Sequence, residues 1–215
     1  MSPSWPRHGL YAITPDEVDT PRLLARVDAA LAAGVAMLQY RNKRVDDATR
    51  RMQAQALLAL CSRHSVPLIV NDDWRLAADI GADGAHLGEH DGELRAARAA
   101  LGAAAILGAS CYDSLDLARD AVDAGTSYIA FGAFFPSPTK PQARRASLDL
   151  VHGSATLGVP RVAIGGITPD NGRTLVEAGC ELLAVISGVF DAPDPAAAVR
   201  AYQRCFDTSP DPASP

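Results

Sequence analysis

The chain has 215 residues, 48% of them hydrophobic, and its 20 Lys and Arg residues against 25 Asp and Glu residues give a formal net charge of −5. This composition is that of a globular protein with a sizeable core, and the charge balance gives no support to a nucleic-acid-binding or membrane-binding protein. Four widely spaced cysteines without a C-x-x-C pair argue against a small disulfide scaffold or a zinc ribbon, and we expect them to be core thiols. Because the start "MSPSWPRHGL" has no apolar leader and no run approaches about 18 apolar residues, we expect a cytoplasmic protein.

Only the two ends of the sequence are of low complexity. Residues 1–8 are predicted to form a short arm, and residues 207–215 to form a disordered tail, because that stretch is rich in Pro and Ser and has no apolar period. The segment between them, residues 9–206, is predicted to be a single domain.

In this domain, short Val/Ile/Leu-rich runs alternate with Ala-rich segments of helical period, which predicts repeated βα units around a parallel sheet. The eight strand candidates are "GLYAIT", "AMLQYR", "PLIVN", "GAHLG", "ILGAS", "YIAFG", "RVAIGG" and "LLAVIS". Helix starts are indicated at Asp19-Thr20-Pro21 and Thr168-Pro169, and helix ends at Gly34, Gly81, Gly125 and Gly179. Eight units with regularly recurring glycines favour a closed (β/α)8 TIM barrel, and an open doubly wound sheet remains the alternative.

The carboxyl ends of barrel strands carry the active site, and here they are unusually polar. After the second strand, Gln39, Arg41 and Lys43 alternate with period two, so a continuing strand would project all three to one side. Two cations and an amide on one face suit a clamp on a diphosphate, since Arg provides a fork and Lys a point charge. A solvated strand end is the alternative.

Asp72 and Asp91 follow the third and fourth strands, so they are predicted to be neighbours at the rim. Two adjacent carboxylates whose repulsion is relieved by a hard dication describe a Mg²⁺ site. Helix capping is the alternative, and it is the preferred interpretation for Asp73. A zinc site of His86, His90 and Asp91 is weaker, because the strand setting of His86 suits a core or supporting histidine.

The later strand ends predict anion sites. In "FFPSPTKP", prolines stiffen a loop that presents Ser137, Thr139 and Lys140, although an inert connector is the alternative. Gly165-Gly166 and Ser187-Gly188 follow the last two strands, where barrels often bind a monophosphate. No candidate nucleophile lies beside a base. The sites together predict that a second substrate's own nucleophile displaces a diphosphate.

Seven motifs in this order closely resemble the thiamine-phosphate synthase family over about residues 9–190. They are "GLYAIT", "LQYRNK", "LIVNDDWRLAADIGADGAHLGEHD", "ILGASCY", "YIAFGAFFPSPTK", "VAIGGI" and "AVIS". The resemblance implies a (β/α)8 barrel that joins 4-amino-2-methyl-5-hydroxymethylpyrimidine diphosphate to a thiazole phosphate, giving thiamine phosphate and pyrophosphate. It leaves open whether the thiazole substrate carries a carboxylate that is lost during coupling.

The resemblance also implies the site residues. The pyrimidine diphosphate would be held by Gln39, Arg41, Lys43, Asn71, Ser110 and Lys140, with Tyr40 and Asn42 in the same segment; the thiazole phosphate would be held by Ser137, Pro138, Thr139, Gly166, Ile186 and Ser187. Asp72 and Asp91 would bind Mg²⁺. The implied mechanism is dissociative, with a pyrimidine carbocation captured by the thiazole nitrogen, and Arg41, Lys43, Ser110 and Lys140 would act in catalysis. The sequence departs from the family pattern mildly, at Ser137, Glu89 and Cys111.

Two other functions stay open at this point. A thiazole tautomerase of the same fold would lack the full diphosphate-and-metal set, and a non-catalytic sensor would bind thiazole or thiamine phosphate without turnover. The partners expected are therefore small molecules, and the oligomeric state, a homo-oligomer included, is not indicated by the sequence.

Overall fold

The computed structural model describes residues 5–136 and 144–207 of the chain. Within these residues the strands are β1 (Gly9–Ile13), β2 (Met37–Tyr40), β3 (Leu68–Asn71), β4 (Gly84–Leu87), β5 (Ile106–Tyr112), β6 (Tyr128–Gly132), β7 (Arg161–Ile164) and β8 (Leu182–Val185). The α-helices are α1 (Thr20–Ala32), α2 (Asp47–His64), α3 (Trp74–Ile80), α4 (Leu94–Leu101), α5 (Leu115–Asp123), α6 (Leu148–Gly153), α7 (Pro169–Glu177), α8 (Ser187–Phe190) and α9 (Pro195–Gln203). Short 3-10 turns follow α6 and α9.

The strands pair in parallel in chain order, and β8 pairs back with β1, so the sheet is a closed barrel. The prediction of a (β/α)8 barrel is confirmed, and the open doubly wound alternative is wrong. All eight predicted strands are present, with ends within two residues of those expected.

Local signals in the sequence explain where the helices begin and end. The Asp19 carboxylate accepts a hydrogen bond from the Arg22 N–H at 3.0 Å and so caps the start of α1. The start of α7 is held by Asn171, whose side-chain oxygen accepts from the Thr168 N–H at 2.8 Å. All four glycines predicted to end helices have positive φ, the conformation that a C-terminal helix cap requires.

The core has two parts that follow the alternation of the strands. One set of strand side chains fills the barrel interior, among them Tyr11, Met37 and Ile69. The opposite set packs against the helices, as Leu38 and Val70 do. All four cysteines are buried free thiols, which confirms their prediction as core residues.

The two chain ends are described only in part. From the predicted arm, Trp5 is buried in the interior cluster, with its ring centroid 6.1 Å from that of Tyr128. Residues 1–4 and 208–215 lie outside the described residues, so their predicted states are untested. No helix in the described part of the chain is long and apolar enough to cross a membrane.

Candidate active site

The polar residues after β2 lie at the carboxyl rim of the barrel, but they do not continue the strand. Gln39 is in β2 and points into the barrel, where its side-chain N–H donates to the Tyr11 hydroxyl at 2.8 Å. The strand ends at Tyr40, and the Arg41 backbone is then held by Thr14, whose hydroxyl accepts from its N–H and donates to its carbonyl, both at 2.9 Å.

Asp16, in the loop after β1, holds the segment that carries Arg41 and Lys43, which we call the cationic loop (residues 41–43). Its Oδ1 pairs with Arg41 Nη1 at 2.9 Å and also accepts from the backbone N–H of Lys43 at 2.8 Å. The Arg41 side chain is 23% exposed, so its guanidinium is half-sheltered at the rim and still has N–H donors besides Nη1. This arrangement presents Arg41 and Lys43 from one short loop.

The Lys43 ammonium is directed toward β3, where its Nζ lies 3.2 Å from Asp72 Oδ2. Asp72 has φ 64, an uncommon left-handed conformation for a residue other than glycine, and one that Asp tolerates better than most residues. Burial raises the pKa of the Asp72 carboxyl, and the adjacent Asp91 carboxyl raises it further through a hydrogen bond and through charge repulsion, while Lys43 lowers it. The influence of Asp91 on the Asp72 pKa places the two carboxyls near one another at the rim, the arrangement expected from the sequence.

This pair of carboxylates fits a hard dication. Asp91 is itself fixed, because its Oδ2 accepts the Gly88 N–H at 2.7 Å. Mg²⁺ is commonly held by one or two carboxylates, with water and phosphate oxygens as its remaining ligands. Among the described residues, no group of three or more His, Cys, Asp and Glu side chains is placed to hold a metal. The donor set thus suits Mg²⁺ and not a structural zinc site.

Asp73, next in the chain, has a different task. Its Oδ1 accepts the Leu76 N–H at 2.9 Å and caps helix α3. The prediction that Asp73 is a cap is confirmed. The two neighbouring carboxylates therefore point in different directions: that of Asp72 lies at the rim beside Lys43, and that of Asp73 caps the first turn of α3.

His86 and Ser110 face the barrel interior beneath the rim. One ring nitrogen of His86, Nε2, lies 2.8 Å from the Ser110 Oγ, and the other, Nδ1, lies 3.0 Å from the Tyr128 hydroxyl. Burial lowers the pKa of His86 to about 4, so the ring is neutral at physiological pH. With both nitrogens engaged, His86 is a supporting histidine, and it is not available to the zinc site considered from the sequence. Asn71, at the end of β3, is paired in register with His86 and is half-buried at the mouth.

Tyr40 and Asn42 have their side chains behind the rim. The Tyr40 hydroxyl donates to Gln53 Oε1 at 2.8 Å, and the Asn42 amide donates to the same oxygen at 3.0 Å and to the Glu17 carbonyl at 2.6 Å. Tyr40 is 1% and Asn42 5% exposed. Their predicted contact with a substrate finds no support in this placement, and both stabilise the cationic loop from the helix side.

The ends of β7 and β8 form the opposite side of the mouth. The loop after β6 runs along β7, since the Phe134 and Phe135 N–H groups donate to the carbonyls of Ile164 and Gly165 at 3.1 and 3.0 Å. Gly166 has φ +65, and a Cβ there would lie 2.5 Å from the Pro136 carbonyl oxygen. The glycine pair therefore allows a close approach of the protein's own backbone. Ile186 and Ser187 lie just beyond β8, where helix α8 begins.

Four predicted residues of the proline-containing loop lie outside the described residues. They are Ser137, Pro138, Thr139 and Lys140. The described part of that connection resumes at Arg144, a residue that the sequence analysis missed. Its guanidinium lies 3.4 Å from Glu89 Oε2 and stacks 5.0 Å from the ring centroid of Tyr112. The negative charge of Glu89 is thus partly offset by Arg144.

The sequence analysis also missed Asp16. The sequence signal for Asp16 was weak, because "ITPD" places an acidic residue within three residues of the end of β1, much as "VNDD" does at the end of β3. Taken together, the described rim brings Arg41, Lys43, Asp72 and Asp91 to one edge of the barrel. Cations beside paired carboxylates can bind a diphosphate together with a divalent cation.

Comparisons with known proteins identify the family that this chain resembles. The family model described as thiamine monophosphate synthase matches residues 10–189. The thiamine-phosphate synthase of Xanthomonas campestris pv. campestris is 58% identical over 198 residues, covering 92% of this chain and 95% of that protein. The Thiobacillus denitrificans thiamine-phosphate synthase is 55% identical over 94% of this chain and 97% of its own length. A solved structure, the thiamine phosphate pyrophosphorylase from Pyrococcus furiosus, superimposes with a TM-score of 0.82 at 28% identity, covering 93% of this chain and 96% of that one.

Proposed function

The chain belongs to the thiamine monophosphate synthase family, whose members are transferases of thiamine biosynthesis, and we propose that its barrel mouth couples a pyrimidine diphosphate to a thiazole phosphate. The products are thiamine phosphate and pyrophosphate. The observation that carries the proposal is the single edge at which Lys43 meets Asp72, and Asp72 meets Asp91, beside Arg41.

Arg41 and Lys43 are assigned to the diphosphate. Arg41 offers N–H groups that Asp16 does not use, and Lys43 adds a point charge at the side nearer β3. Negative charge grows on the diphosphate as the bond between the pyrimidine methylene carbon and the bridging oxygen breaks. Fixed cations at that position stabilise the transition state more than the ground state, which is the requirement for catalysis.

Asp72 and Asp91 are assigned to Mg²⁺. When bound, the ion would neutralise charge on the diphosphate leaving group and help to orient it. The Asp72 carboxyl is half-buried beside a second carboxyl, which disfavours its charged form and supports a role for a dication at this position. Glu89 lies close by but is directed to Arg144, so we do not assign it to the metal.

Gln39, Asn71 and Ser110 are assigned to the pyrimidine. They lie in the carboxyl-terminal halves of β2, β3 and β5, and amide and hydroxyl groups can hold a neutral heterocycle in one orientation. The thiazole phosphate is assigned to the opposite side, at Gly166, Ile186 and Ser187, because loops after the last two strands of barrels bind phosphate. Lys140, Ser137 and Thr139 complete the two sites in this proposal. The thiazole nitrogen supplies the electron pair for the new carbon–nitrogen bond, so no protein nucleophile is needed.

The test is to incubate the purified protein with both substrates and Mg²⁺ and to measure thiamine phosphate and pyrophosphate. Equal amounts of the two products are expected. Isomerisation of a thiazole without release of pyrophosphate would indicate a tautomerase, and binding without turnover would indicate a sensor. Either result would contradict the proposal.

The metal assignment has a matched pair of variants in adjacent residues. Asp72→Asn removes one carboxylate from the rim, keeps the size of the side chain and tolerates a positive φ. Asp73→Asn makes the same chemical change at the cap of α3, where Asn is an equally good cap. We expect Asp72→Asn to raise the Mg²⁺ concentration needed for half-maximal rate, and Asp73→Asn to leave it unchanged. Equal effects of the two variants, or full activity in excess chelator, would refute the assignment.

A further inference from the structure

The barrel interior contains a continuous chain of hydrogen-bonded side chains, and the proposed reaction gives no role to the three residues in its middle, Tyr11, Tyr128 and His86. Gln39 Nε2 lies 2.8 Å from the Tyr11 hydroxyl, which lies 2.7 Å from the Tyr128 hydroxyl. The Tyr128 hydroxyl lies 3.0 Å from His86 Nδ1, and His86 Nε2 lies 2.8 Å from Ser110 Oγ. We call these five residues the interior relay. It begins at one residue assigned to the pyrimidine and ends at another.

The interior relay is unusual because it places polar side chains in the interior of the barrel. Most of its neighbours in the same interior cluster are apolar and not aromatic, including Met37, Ile69 and Leu182, and branched apolar side chains dominate barrel interiors. Buried polar groups are costly unless every one has a partner. Tyr11 and Tyr128 are 1% and 0% exposed, so their hydroxyl groups depend entirely on one another and on their relay neighbours.

The backbone is also adapted to the relay. A Cβ on Gly108 would lie 2.0 Å from Cζ of Tyr128 and 2.3 Å from its hydroxyl oxygen. Gly108 therefore leaves the space across which the Tyr128 ring reaches the centre of the barrel. The Tyr128 ring stacks on the His86 ring with centroids 5.6 Å apart and an interplanar angle of 17°. Both rings are thus held in one orientation by packing as well as by hydrogen bonds.

Counting the protons gives the relay a direction. Gln39 donates an amide N–H to Tyr11, so the Tyr11 proton is left for Tyr128, and the Tyr128 proton for His86 Nδ1. A neutral imidazole that accepts at Nδ1 carries its proton on Nε2. That proton then points to Ser110 Oγ. The hydroxyl hydrogen of Ser110 is the one left over, and the mouth is where it has space.

We propose that the interior relay fixes Ser110 as a hydrogen-bond donor toward the pyrimidine substrate, with His86 in the Nε2–H tautomer as the positioning residue. This inference rests on the proposed function only in taking Ser110 as a pyrimidine contact. An unsupported serine hydroxyl rotates freely and can donate or accept. When its oxygen accepts the His86 N–H, the Ser110 hydroxyl turns its own proton away from His86 and offers it to an acceptor on the substrate.

The tautomer can be measured without any reaction. The chain has five histidines. In the protein labelled with ¹⁵N-histidine, long-range proton–nitrogen correlation spectra distinguish the two tautomers, and the signal lost in a His86→Asn variant identifies His86. We expect a single Nε2–H tautomer at neutral pH. An Nδ1–H tautomer, or a mixture of the two, would overturn the proposed direction.

Tyr128→Phe tests the link to the substrate, since it removes one hydroxyl and keeps the ring. We expect the His86 tautomers to become mixed and kcat/KM for the pyrimidine diphosphate to fall at least about tenfold, with the KM for the thiazole phosphate unchanged. Tyr202→Phe is the matched control, because it removes an equally buried hydroxyl whose bond goes to the Ile167 carbonyl, 2.9 Å away, on the helix side of the barrel. It should leave the His86 tautomer as it is.

A double-mutant cycle with Ser110→Ala separates positioning from simple loss of packing. If the relay acts through Ser110, Tyr128→Phe has little further effect on kcat/KM once Ser110 is alanine. Additive effects would overturn the proposal. Ser110→Ala with full activity would also overturn it while leaving the proposed function intact, whereas a wild-type protein that forms no thiamine phosphate would refute the function and leave the tautomer measurement valid.

Discussion

Gly166→Ala tests why a glycine follows β7. The residue has φ +65, and an added Cβ would lie 2.5 Å from the Pro136 carbonyl oxygen and 2.7 Å from that of Phe135. The left-handed conformation costs an L-residue roughly 1–2 kcal/mol. The backbone oxygens cannot swing aside as the end of a side chain can, so overpacking adds about 1–3 kcal/mol. We therefore expect a loss of about 2–5 kcal/mol in the free energy of unfolding.

Gly158→Ala is the matched control for this substitution. Its φ is +74, and no atom lies within 4 Å of the position of an added Cβ, so only the conformational cost of roughly 1–2 kcal/mol applies. Urea unfolding of both variants, followed by circular dichroism, measures the difference directly. We also expect Gly166→Ala to raise the KM for the thiazole phosphate, because the loop after β6 has to move. Equal destabilisation by the two variants would refute the argument from close packing.

Three further predictions concern the loop residues and the buried histidine. Lys140→Ala should lower kcat by about 100-fold, as removal of a donor to developing charge does, and a rise in KM alone would show a binding residue instead. Ser137→Ala should weaken binding of the thiazole phosphate by roughly 0.5–1.5 kcal/mol while Ser137→Thr is nearly neutral, and a selective rise in the pyrimidine KM would contradict this. The pKa of His86, lowered from 6.5 to about 4, means that folding favours the neutral ring. Its contribution to stability is complete above pH 6.5 and is lost as the pH falls toward 4, by about 3 kcal/mol, so a His86→Asn variant should show a shallower decline in unfolding free energy over this range.

The fold was predictable from the sequence because each of its elements carries a local signal. Apolar runs of four to seven residues lie in the strands, and a cap such as Asp19 or a glycine such as Gly81 marks where a helix begins or ends. Closure of the barrel followed from counting eight such units. The proximity of Asp72 to Asp91 was also predictable, since parallel strands bring their carboxyl ends to one rim.

The direction in which each polar side chain points was harder to predict, because it depends on hydrogen-bonding partners that are distant in the chain. Tyr40 and Asn42 are the chain neighbours of Arg41, yet both side chains point away from the rim and toward Gln53, on helix α2. His86 reads as an ordinary strand residue until Tyr128, 42 residues later, is seen beside it. Alternation along a strand tells which residues share a face, but it does not tell which buried acceptor each will find.

The ion pairs at the rim have a consequence for the order in which ligands arrive. In the free protein Lys43 is paired with Asp72 and Arg41 with Asp16, so a carboxylate balances each of these two cations of the described rim. If Asp72 holds Mg²⁺, as proposed, Lys43 would no longer be needed as its counter-charge and could bind the diphosphate. A polyanion arriving alone would have to compete with a carboxylate for the same ammonium. We therefore expect the mouth to bind a metal–diphosphate complex more tightly than a free phosphate, with Lys43 exchanging Asp72 for the diphosphate.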